Sequence, residues 1–184
     1  MKKTSQIQPK DQIELFYDKP DPWKYDNNPH DLIRKEYLLK ILPRRRYARV
    51  LDIGCGNGFL TQSLPGDLVI GCDISEQAIA WARKRAADLT DKKLRFFARS
   101  IFDLPTLNLE PFDLILITGV LYSQYIASSS SFVHLVIDQL LKKGGILVTC
   151  HIQQWYICPF PYMLLDKHLY AYREYTHALE VFQK

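Results

Sequence analysis

The chain has 184 residues, of which 47% are hydrophobic and 24% charged, the balance of a single globular domain with a buried core. A net charge of +4 is too small to indicate a nucleic-acid partner, and no apolar run is long enough to cross a bilayer. The four cysteines include no C-x-x-C pair, which argues against a disulfide framework or a metal site and favours reduced thiols in a cytoplasmic protein.

The sequence predicts an N-terminal arm over residues 1–30, followed by a single domain over residues 31–184. Within the arm, residues 11–17 are compatible with a short amphipathic helix. The rest is rich in Asp, Asn and Pro, which is typical of a loop, yet it carries Trp23 and Tyr25. Two interpretations are open: the two rings pin the loop to the core, or they form part of a lid over a ligand.

A glycine-rich loop follows the first predicted strand, residues 49–53, with Gly54, Gly56 and Gly58 at alternate positions. Glycine can adopt positive φ and lets a ligand lie against the backbone. In an open α/β sheet the ligand site lies at the carboxyl ends of the strands, where the strand order reverses. The spacing differs from the dinucleotide fingerprint, and no Gly-Lys-Ser/Thr follows as in a P-loop. The loop therefore predicts a ligand site of another kind.

Two acidic residues flank this loop. Asp52 lies two residues before the first glycine, where it suits a ligand with a cationic amine. Asp73 ends the next strand. Its distance from Asp52 along the chain matches the separation of roughly 20 residues at which Rossmann-like units place a ribose-binding carboxylate. The alternative for Asp73 is a helix N-cap, because a helical run begins just after it. An amine, a sulfonium and a ribose occur together in S-adenosylmethionine, which the combined pattern favours as the ligand.

The remaining pattern continues the alternation of strands and helices. It predicts helices over residues 31–42, 59–63, 76–87 and 132–141 and strands over residues 68–72, 94–98, 112–118, 146–151 and 174–182. The strand over 112–118 is apolar throughout, which is typical of a buried parallel strand. Gly144 and Gly145 are expected to cap the helix over 132–141. An aromatic-rich stretch, residues 155–172, precedes the last strand.

Several motifs carry a family resemblance. Leu51-Asp52-Ile53-Gly54-Cys55-Gly56-Asn57-Gly58 resembles motif I of class I S-adenosylmethionine-dependent methyltransferases, and Gly71-Cys72-Asp73-Ile74-Ser75 resembles their second motif. Asp21-Pro22-Trp23-Lys24-Tyr25 and Val120-Leu121-Tyr122 are similar to the nodulation-type N-methyltransferases. The resemblance implies an α/β fold: a Rossmann-like three-layer sandwich with a mostly parallel seven-stranded sheet whose last strand is antiparallel. Residues 31–184 would form the single class I methyltransferase domain.

The resemblance also implies site residues. The expected cofactor-binding residues are Trp23, Tyr25, Asp52, Gly54, Cys55, Gly56, Gly58, Asp73, Ile74, Ser100, Ile101, Phe102, Thr118 and Gly119. Ser100 stands where the adenine-binding turn of the family usually has an Asp, and Thr118-Gly119 replaces a common Ser-Glu pair. Tyr122 and His151 end the fourth and fifth predicted strands and are the candidates for a catalytic base. For His151, an imidazole held by hydrogen bonds at the sheet edge is an equal alternative.

The expected function is methyl transfer from S-adenosylmethionine to nitrogen or oxygen of a small molecule, such as a saccharide or another metabolite. The expected partner is this acceptor, without nucleic acid or membrane, and the oligomeric state is left open. A nucleic-acid methyltransferase is an alternative, although Thr118-Gly119-Val120-Leu121 does not resemble the Asn/Asp-Pro-Pro-Tyr sequence of amino-methylating enzymes. A dehydrogenase is disfavoured by the glycine spacing, and a non-catalytic relative by the retained glycines and Asp52.

Overall fold

The computed structural model describes residues 7–90, 93–157 and 160–184, and these ranges form a seven-stranded sheet flanked by helices. The strands are β1 (Arg49–Ile53), β2 (Leu68–Asp73), β3 (Lys93–Ala98), β4 (Phe112–Thr118), β5 (Leu141–Ile152), β6 (Met163–Tyr172) and β7 (Tyr175–Gln183). The helices are α1 (Lys10–Phe16), α2 (Pro29–Ile41), α3 (Glu76–Ala86), α4 (Ser123–Ile126) and α5 (Ser130–Leu140). In the described ranges, no helix combines the length and the apolar character that crossing a membrane requires.

The strand order is β3-β2-β1-β4-β5-β7-β6, and β7 runs antiparallel to both of its neighbours while the other pairs are parallel. The predicted fold class, with a mostly parallel sheet and an antiparallel last strand, is therefore confirmed. The chain passes from β1 outward to β2 and β3, and then returns to place β4 on the other side of β1. This reversal lies beside the carboxyl end of β1, where ligands of open α/β sheets bind.

The core covers both faces of the sheet because neighbouring strand residues point to opposite sides. Leu51 of β1 belongs to the buried cluster that α5 covers through Val133 and Ile137. Val50, the next residue along the chain, belongs to the cluster that α2 covers through Leu38. The alternation fixes the sheet between the two layers of helices.

The helix predicted over residues 59–63 is wrong in type and extent. Only a single 3-10 turn, Thr61–Ser63, forms there. Leu64 is extended, with ψ of 139°, because the ring of the following Pro65 disfavours a helical conformation at the preceding residue. The glycine loop therefore leads into a short turn rather than into a helix.

The predicted glycine cap of α5 is also wrong. The helix ends at Leu140, and β5 begins at the next residue, so that Gly144 and Gly145 lie inside the strand. Phe112 and Leu114 of β4 pair with Leu141 and Ile146 of β5, and the extra residues of β5 form a bulge. Gly144, with φ of 72°, supplies the positive φ that such an irregularity needs. In addition, β6 occupies part of the aromatic-rich stretch, where the sequence pattern predicted no strand.

Candidate functional site

The glycine loop is tied to the end of β2. The backbone N–H groups of Gly54 and Cys55 both donate to the carbonyl of Cys72, over 2.8 and 3.0 Å. Gly54 has φ of 76°, and a Cβ atom placed on it would overlap with Cγ2 of Val120. Gly56 has φ of 53°, and a Cβ there would lie 3.0 Å from the hydroxyl of Tyr17. The loop therefore needs glycine at these two positions both for conformation and for close approach.

Asp73 is bound into the same loop. Its Oδ2 atom accepts a hydrogen bond of 2.9 Å from the N–H of Gly56, and its Oδ1 atom accepts one of 3.0 Å from the N–H of Ser75. Ser75, rather than Asp73, caps α3, because its hydroxyl accepts from the N–H of Ala78. Burial raises the pKa of Asp73. The carboxylate joins the ends of β1 and β2 and lies on the wall of the pocket described below.

Asp52 has one paired and one unpaired oxygen. Its side chain is buried, and Oδ2 accepts a hydrogen bond of 2.6 Å from the hydroxyl of Thr61. Oδ1 has no hydrogen-bond partner within the described part of the chain. Burial raises the pKa of Asp52 to about 6. An unpaired buried carboxylate oxygen is costly, and a cationic group of a ligand would satisfy it.

A pocket opens in front of the glycine loop, at the reversal of strand order between β1 and β4. Every residue that the sequence predicted for cofactor binding lines this pocket except Gly58. A Cβ on Gly58 would lie 3.2 Å from that of Ala82, so this glycine allows α3 to pack closely. The structure thus brings together residues that are about 100 positions apart in the chain, from Trp23 to Gly119.

The N-terminal arm supplies pocket residues that sequence reasoning missed. Phe16 and Tyr17, at the end of α1, line the pocket, and Trp23 stacks on Phe16 with ring centroids 5.5 Å apart. Tyr25 stacks on Phe59 at the same centroid distance. Trp23 therefore packs within the arm and Tyr25 packs on the domain, both rings line the pocket, and their role in a lid stays a prediction.

Glu14 of α1 fastens the arm to the body of the protein. Its carboxylate accepts hydrogen bonds from the hydroxyl of Ser75 and from the N–H groups of Glu76 and Gln77. These donors belong to the N-terminal turn of α3, whose partial positive charge favours an acidic side chain. The acid that binds the first turn of α3 thus comes from about 60 residues earlier in the chain.

Arg34 of α2 is another pocket residue that the sequence analysis missed. It lines the pocket, is 8% exposed, and places its guanidinium 5.2 Å from the ring centroid of Tyr25. Its Nη2 atom lies 3.1 Å from Oδ1 of the fully buried Asp31. The sequence pattern marked α2 only by its caps and apolar positions, so it contained no signal for a pocket residue.

Ser100 lies where the adenine-binding turn was predicted, but its side chain is already engaged. It accepts a hydrogen bond from the N–H of Phe102, and its own N–H donates to the carboxylate of Asp103. The two residues form a capping box at the start of a 3-10 helix, Ile101–Leu107. The backbone of this turn and the ring of Phe102 remain on the pocket wall.

The two candidate bases, Tyr122 and His151, are not among the residues that line the pocket. The hydroxyl of Tyr122 accepts a hydrogen bond of 2.9 Å from the N–H of Ile152. Nε2 of His151 lies 3.3 Å from Oε2 of Glu180, whose other oxygen accepts from Lys167. Burial lowers the pKa of His151 to about 4, so the ring is neutral at pH 7. Their catalytic roles stay predictions.

The cysteines and possible metal ligands form no shared site in the described ranges. Cys55, Cys72 and Cys150 are buried free thiols, and Cys158 lies outside the described residues. Among the described residues there is no group of three or more His, Cys, Asp or Glu side chains arranged to hold a metal ion.

Comparison with known proteins identifies the type of domain. A family described as a methyltransferase domain matches residues 45–180. A tRNA U34 carboxymethyltransferase of Pseudomonas savastanoi pv. phaseolicola is 36% identical over 104 residues, covering 54% of this chain and 31% of that protein. A ubiquinone biosynthesis O-methyltransferase of Vibrio vulnificus is 29% identical over 126 residues, covering 62% and 52%. The chain thus spans between about a third and about half of these relatives.

The fold matches solved structures over nearly its whole length. The N-methyltransferase NodS of Bradyrhizobium japonicum, solved in complex with S-adenosyl-L-homocysteine, superposes with a TM-score of 0.80 at 22% identity. The match covers 95% of this chain and 97% of that chain. The resemblance to the nodulation-type enzymes that the sequence motifs indicated therefore extends to the fold.

Proposed function

The chain belongs to the methyltransferase domain family, and from this premise we propose that it transfers a methyl group from S-adenosylmethionine to nitrogen or oxygen of a small molecule. One observation supports the choice of cofactor above the others. The unpaired Oδ1 atom of Asp52 and the carboxylate of Asp73 lie on the wall of one pocket, on either side of a glycine loop. A ligand that carries an amine at one end and a ribose further along satisfies both carboxylates.

The pocket residues divide into zones that fit the parts of this cofactor. Asp52 would accept from the amine, and Asp73 would accept from the ribose hydroxyls. The turn that contains Ile101 and Phe102 offers an apolar wall and a ring for the adenine. Thr118 and Gly119, at the carboxyl end of β4, would face the sulfur. Every zone consists of residues that line the same pocket.

The cofactor supplies a methyl group activated on a sulfonium, so that the protein need not provide a nucleophile. The protein must hold the acceptor in line with the methyl group, an effect worth roughly 7–11 kcal/mol in favourable cases. It must also exclude water. We assign this second task to the N-terminal arm as a lid, because Phe16, Tyr17 and Trp23 of its described part line the pocket, whereas residues 1–6 lie outside the described residues.

The acceptor would approach past Gly119. A Cβ atom placed on this glycine has no heavy atom within 4 Å among the described residues, which indicates open space at the end of β4. Val120 and Tyr125 also line this pocket. A small acceptor fits a space of this kind, and a saccharide is suggested by the resemblance to nodulation-type enzymes.

A base is needed where the acceptor is protonated at pH 7, and His151 and Tyr122 are the proposed groups. The ring of His151 is neutral at pH 7 and can accept a proton, but a pKa of about 4 makes it a weak base at that pH. Since neither group lines the pocket, the proposal requires that the bound acceptor extends from the pocket to one of these two side chains. A His151→Gln variant with unchanged turnover and unchanged cofactor affinity would remove His151 from the mechanism.

Calorimetry with S-adenosylhomocysteine tests the cofactor assignment. We expect saturable binding to the wild type and a loss of about 10- to 100-fold in affinity for Asp73→Ala, because a charge-assisted contact is removed. The matched control is Asp67→Ala, since Asp67 pairs with Arg46 on the surface and does not line the pocket. The absence of binding to wild-type protein would reject the proposal.

The acceptor class requires a separate assay with labelled S-adenosylmethionine. Saccharides, phenols, amines and tRNA would be offered in parallel, and label transferred to a small molecule is the expected result. Transfer to tRNA alone would instead support the nucleic-acid alternative, which agrees with the name of one relative.

A further inference from the structure

The wall of the pocket offers few groups that could act on an acceptor. Among the described residues that line it, only Asp52 and Asp73 carry a carboxyl group, and none is a His or a Lys. Residues 1–6, which precede the lining residue Ile7 and lie outside the described ranges, contain no Asp, Glu or His. Both carboxyl groups are assigned above to the amine and the ribose of the cofactor. The described wall therefore leaves no spare carboxylate or imidazole for the acceptor.

Burial keeps four further ionisable groups of this wall protonated at pH 7. It raises the pKa of the Cys55 and Cys72 thiols well above their ordinary range. It also raises the pKa of the Tyr17 and Tyr25 phenols. All four residues line the pocket. A protonated thiol or phenol cannot remove a proton from an acceptor, so these residues cannot serve as the base.

The carboxyl end of β4 is open as well as uncharged. Gly119 follows this strand directly, and a Cβ atom placed on it has no described heavy atom within 4 Å. Its chain neighbours Thr118 and Val120 also line the pocket, and neither side chain carries a charge. A cationic acceptor that entered here would lose its water without gaining a counter-ion, which is costly.

The charge of the loaded pocket favours an acidic acceptor instead. The described wall carries two acids, Asp52 and Asp73, and two arginines, Arg34 and Arg99. These charges are equal in number, the amino-acid part of the cofactor is neutral overall, and the sulfonium adds one positive charge. A nearby positive centre lowers the pKa of a hydroxyl group, because it favours the ionised form. The effect suffices for a phenol, with an ordinary pKa of about 10, but not for an alcohol, whose pKa is close to the value of ~16 for water.

We propose that the acceptor is a phenol, which attacks the methyl group as its phenolate. This inference rests on the proposed function and narrows its acceptor from nitrogen or oxygen of a small molecule to an aromatic hydroxyl group. The phenol releases its proton to water. A lone pair of its oxygen then forms the bond to the methyl carbon, while the carbon–sulfur bond breaks and its electron pair stays on sulfur. The products are the methyl ether and S-adenosylhomocysteine.

The other acceptor classes need groups that the described wall does not provide. A protonated amine has no lone pair with which to attack, so it requires a base as well as a counter-ion. An alcohol keeps its proton at pH 7 unless a base removes it. A phenol requires neither, and its ring would pack against apolar lining residues such as Val120 and Tyr125. The inference therefore favours a phenol over the saccharide that the family resemblance suggests.

Transfer from labelled S-adenosylmethionine compares the acceptor groups directly. Phenol and catechol would be offered to the wild type at pH 7 beside benzyl alcohol and benzylamine, all at the same concentration. We expect label to enter the phenols at a rate at least about 10-fold higher than the other two compounds, because only the phenols ionise without a base. A higher rate with benzyl alcohol or benzylamine, or no transfer to either phenol, would overturn the inference.

A binding measurement tests the same point without turnover. Sinefungin has a carbon that bears an ammonium group in place of the sulfur and its methyl group, whereas S-adenosylhomocysteine carries no charge there. Because the described wall offers no counter-ion at this point, calorimetry should show that the wild type binds sinefungin no more tightly than S-adenosylhomocysteine. Binding of sinefungin that is at least about 10-fold tighter would reveal a counter-ion and contradict the inference.

Two variants of Gly119 supply the missing charge and its matched control. Asp and Asn tolerate positive φ better than most side chains and have the same shape, so Gly119→Asp and Gly119→Asn carry similar backbone strain. The preference for sinefungin over S-adenosylhomocysteine should be about 10-fold greater in Gly119→Asp than in Gly119→Asn, because a charge-assisted contact forms. Equal ratios would show that Gly119 does not border the transferred methyl group, which would overturn the placement of the acceptor on which the inference depends.

The outcomes separate this inference from the proposed function. If the wild type binds neither S-adenosylhomocysteine nor sinefungin, the proposed cofactor is wrong. If it binds S-adenosylhomocysteine but gives any of the contrary results above, the phenol acceptor is wrong and the cofactor assignment stands. Each affinity ratio is measured within one variant, so that a partly unfolded sample affects both ligands alike.

Discussion

The carboxylate of Glu14 accepts a hydrogen bond of 2.6 Å from the hydroxyl of Ser75, which joins the N-terminal arm to the first turn of α3. Ser75 also donates its backbone N–H to Asp73, the proposed ribose-binding acid. One residue therefore contacts both the arm and the cofactor site. Docking of the arm and order in the cofactor site should depend on each other.

Replacing Glu14 tests this dependence. Glu14→Ala removes an acceptor of three hydrogen bonds at a helix N-terminus, an arrangement worth about 1–2 kcal/mol. We expect faster cleavage of the arm by protease and weaker binding of S-adenosylhomocysteine, by roughly 5- to 30-fold. The control is Glu36→Ala, since Glu36 forms an exposed pair with Lys40 on α2. An arm that stays equally protected would show that Glu14 does not hold it.

Alanine substitutions at two glycines with positive φ, Gly54 and Gly119, distinguish the cost of backbone strain from the cost of steric overlap. Gly54→Ala and Gly119→Ala both place a Cβ at positive φ, which costs about 1–2 kcal/mol in each case. At Gly54 the new atom also overlaps with Val120, whereas at Gly119 no described heavy atom lies within 4 Å. Overpacking adds about 1–3 kcal/mol, so chemical denaturation should show that Gly54→Ala is the less stable variant by that amount.

Equal destabilisation of the two variants would contradict the close contact between the glycine loop and Val120. Such a result would mean that the loop can move away from the end of β4 without cost. The affinity for S-adenosylhomocysteine provides a second measurement, because a displaced loop would also break the hydrogen bond from the N–H of Gly56 to Asp73.

The glycine loop and its two acids could be predicted from sequence because each depends on short-range spacing. Few folds are compatible with a strand that is followed by three alternate glycines and then by a second strand that ends in an acid. Arg34 and Tyr17 could not be found in this way. They reach the pocket because of how α1 and α2 pack, and the apolar positions of these helices do not show which of their residues face a ligand site.

The errors in predicting local structure have a related cause. Glycine is the residue type typical of a helix cap because it adopts positive φ readily. Gly144 uses its positive φ for a bulge in β5 instead. Sequence spacing cannot distinguish the two uses, because pairing with β4 decides between them. The same holds for β6, whose pattern is hidden within an aromatic-rich stretch and is organised by pairing with β7.

His151 should make the protein sensitive to acid. Its pKa is about 4 in the folded state and about 6.5 in an unfolded chain. The unfolded state therefore binds the proton first, so that the contribution of the neutral ring is full above pH 6.5 and is lost as the pH falls toward 4. The free energy of unfolding of the wild type relative to His151→Gln should fall by roughly 2–3 kcal/mol between pH 7 and pH 4.

Other titrating groups cancel in this comparison because both proteins contain them. His30→Gln is the matched control, since His30 is exposed at the start of α2. Identical profiles for the wild type and His151→Gln would show that the ring of His151 is accessible to solvent and not buried beside Glu180.

The pH dependence of cofactor binding should reveal the titration of Asp52. Burial raises its pKa to about 6, and only the ionised form attracts the α-ammonium of the ligand. The affinity for S-adenosylhomocysteine should therefore be constant above pH 7 and become about tenfold weaker for each unit below pH 6. The ligand amine and carboxylate do not titrate in this range.

Asp52→Asn should bind weakly with a flat profile between pH 5 and pH 8, because it has no proton to gain. A variant that keeps the wild-type slope would assign the titration to Asp73, the other buried carboxylate of the pocket, and would remove Asp52 from contact with the amine.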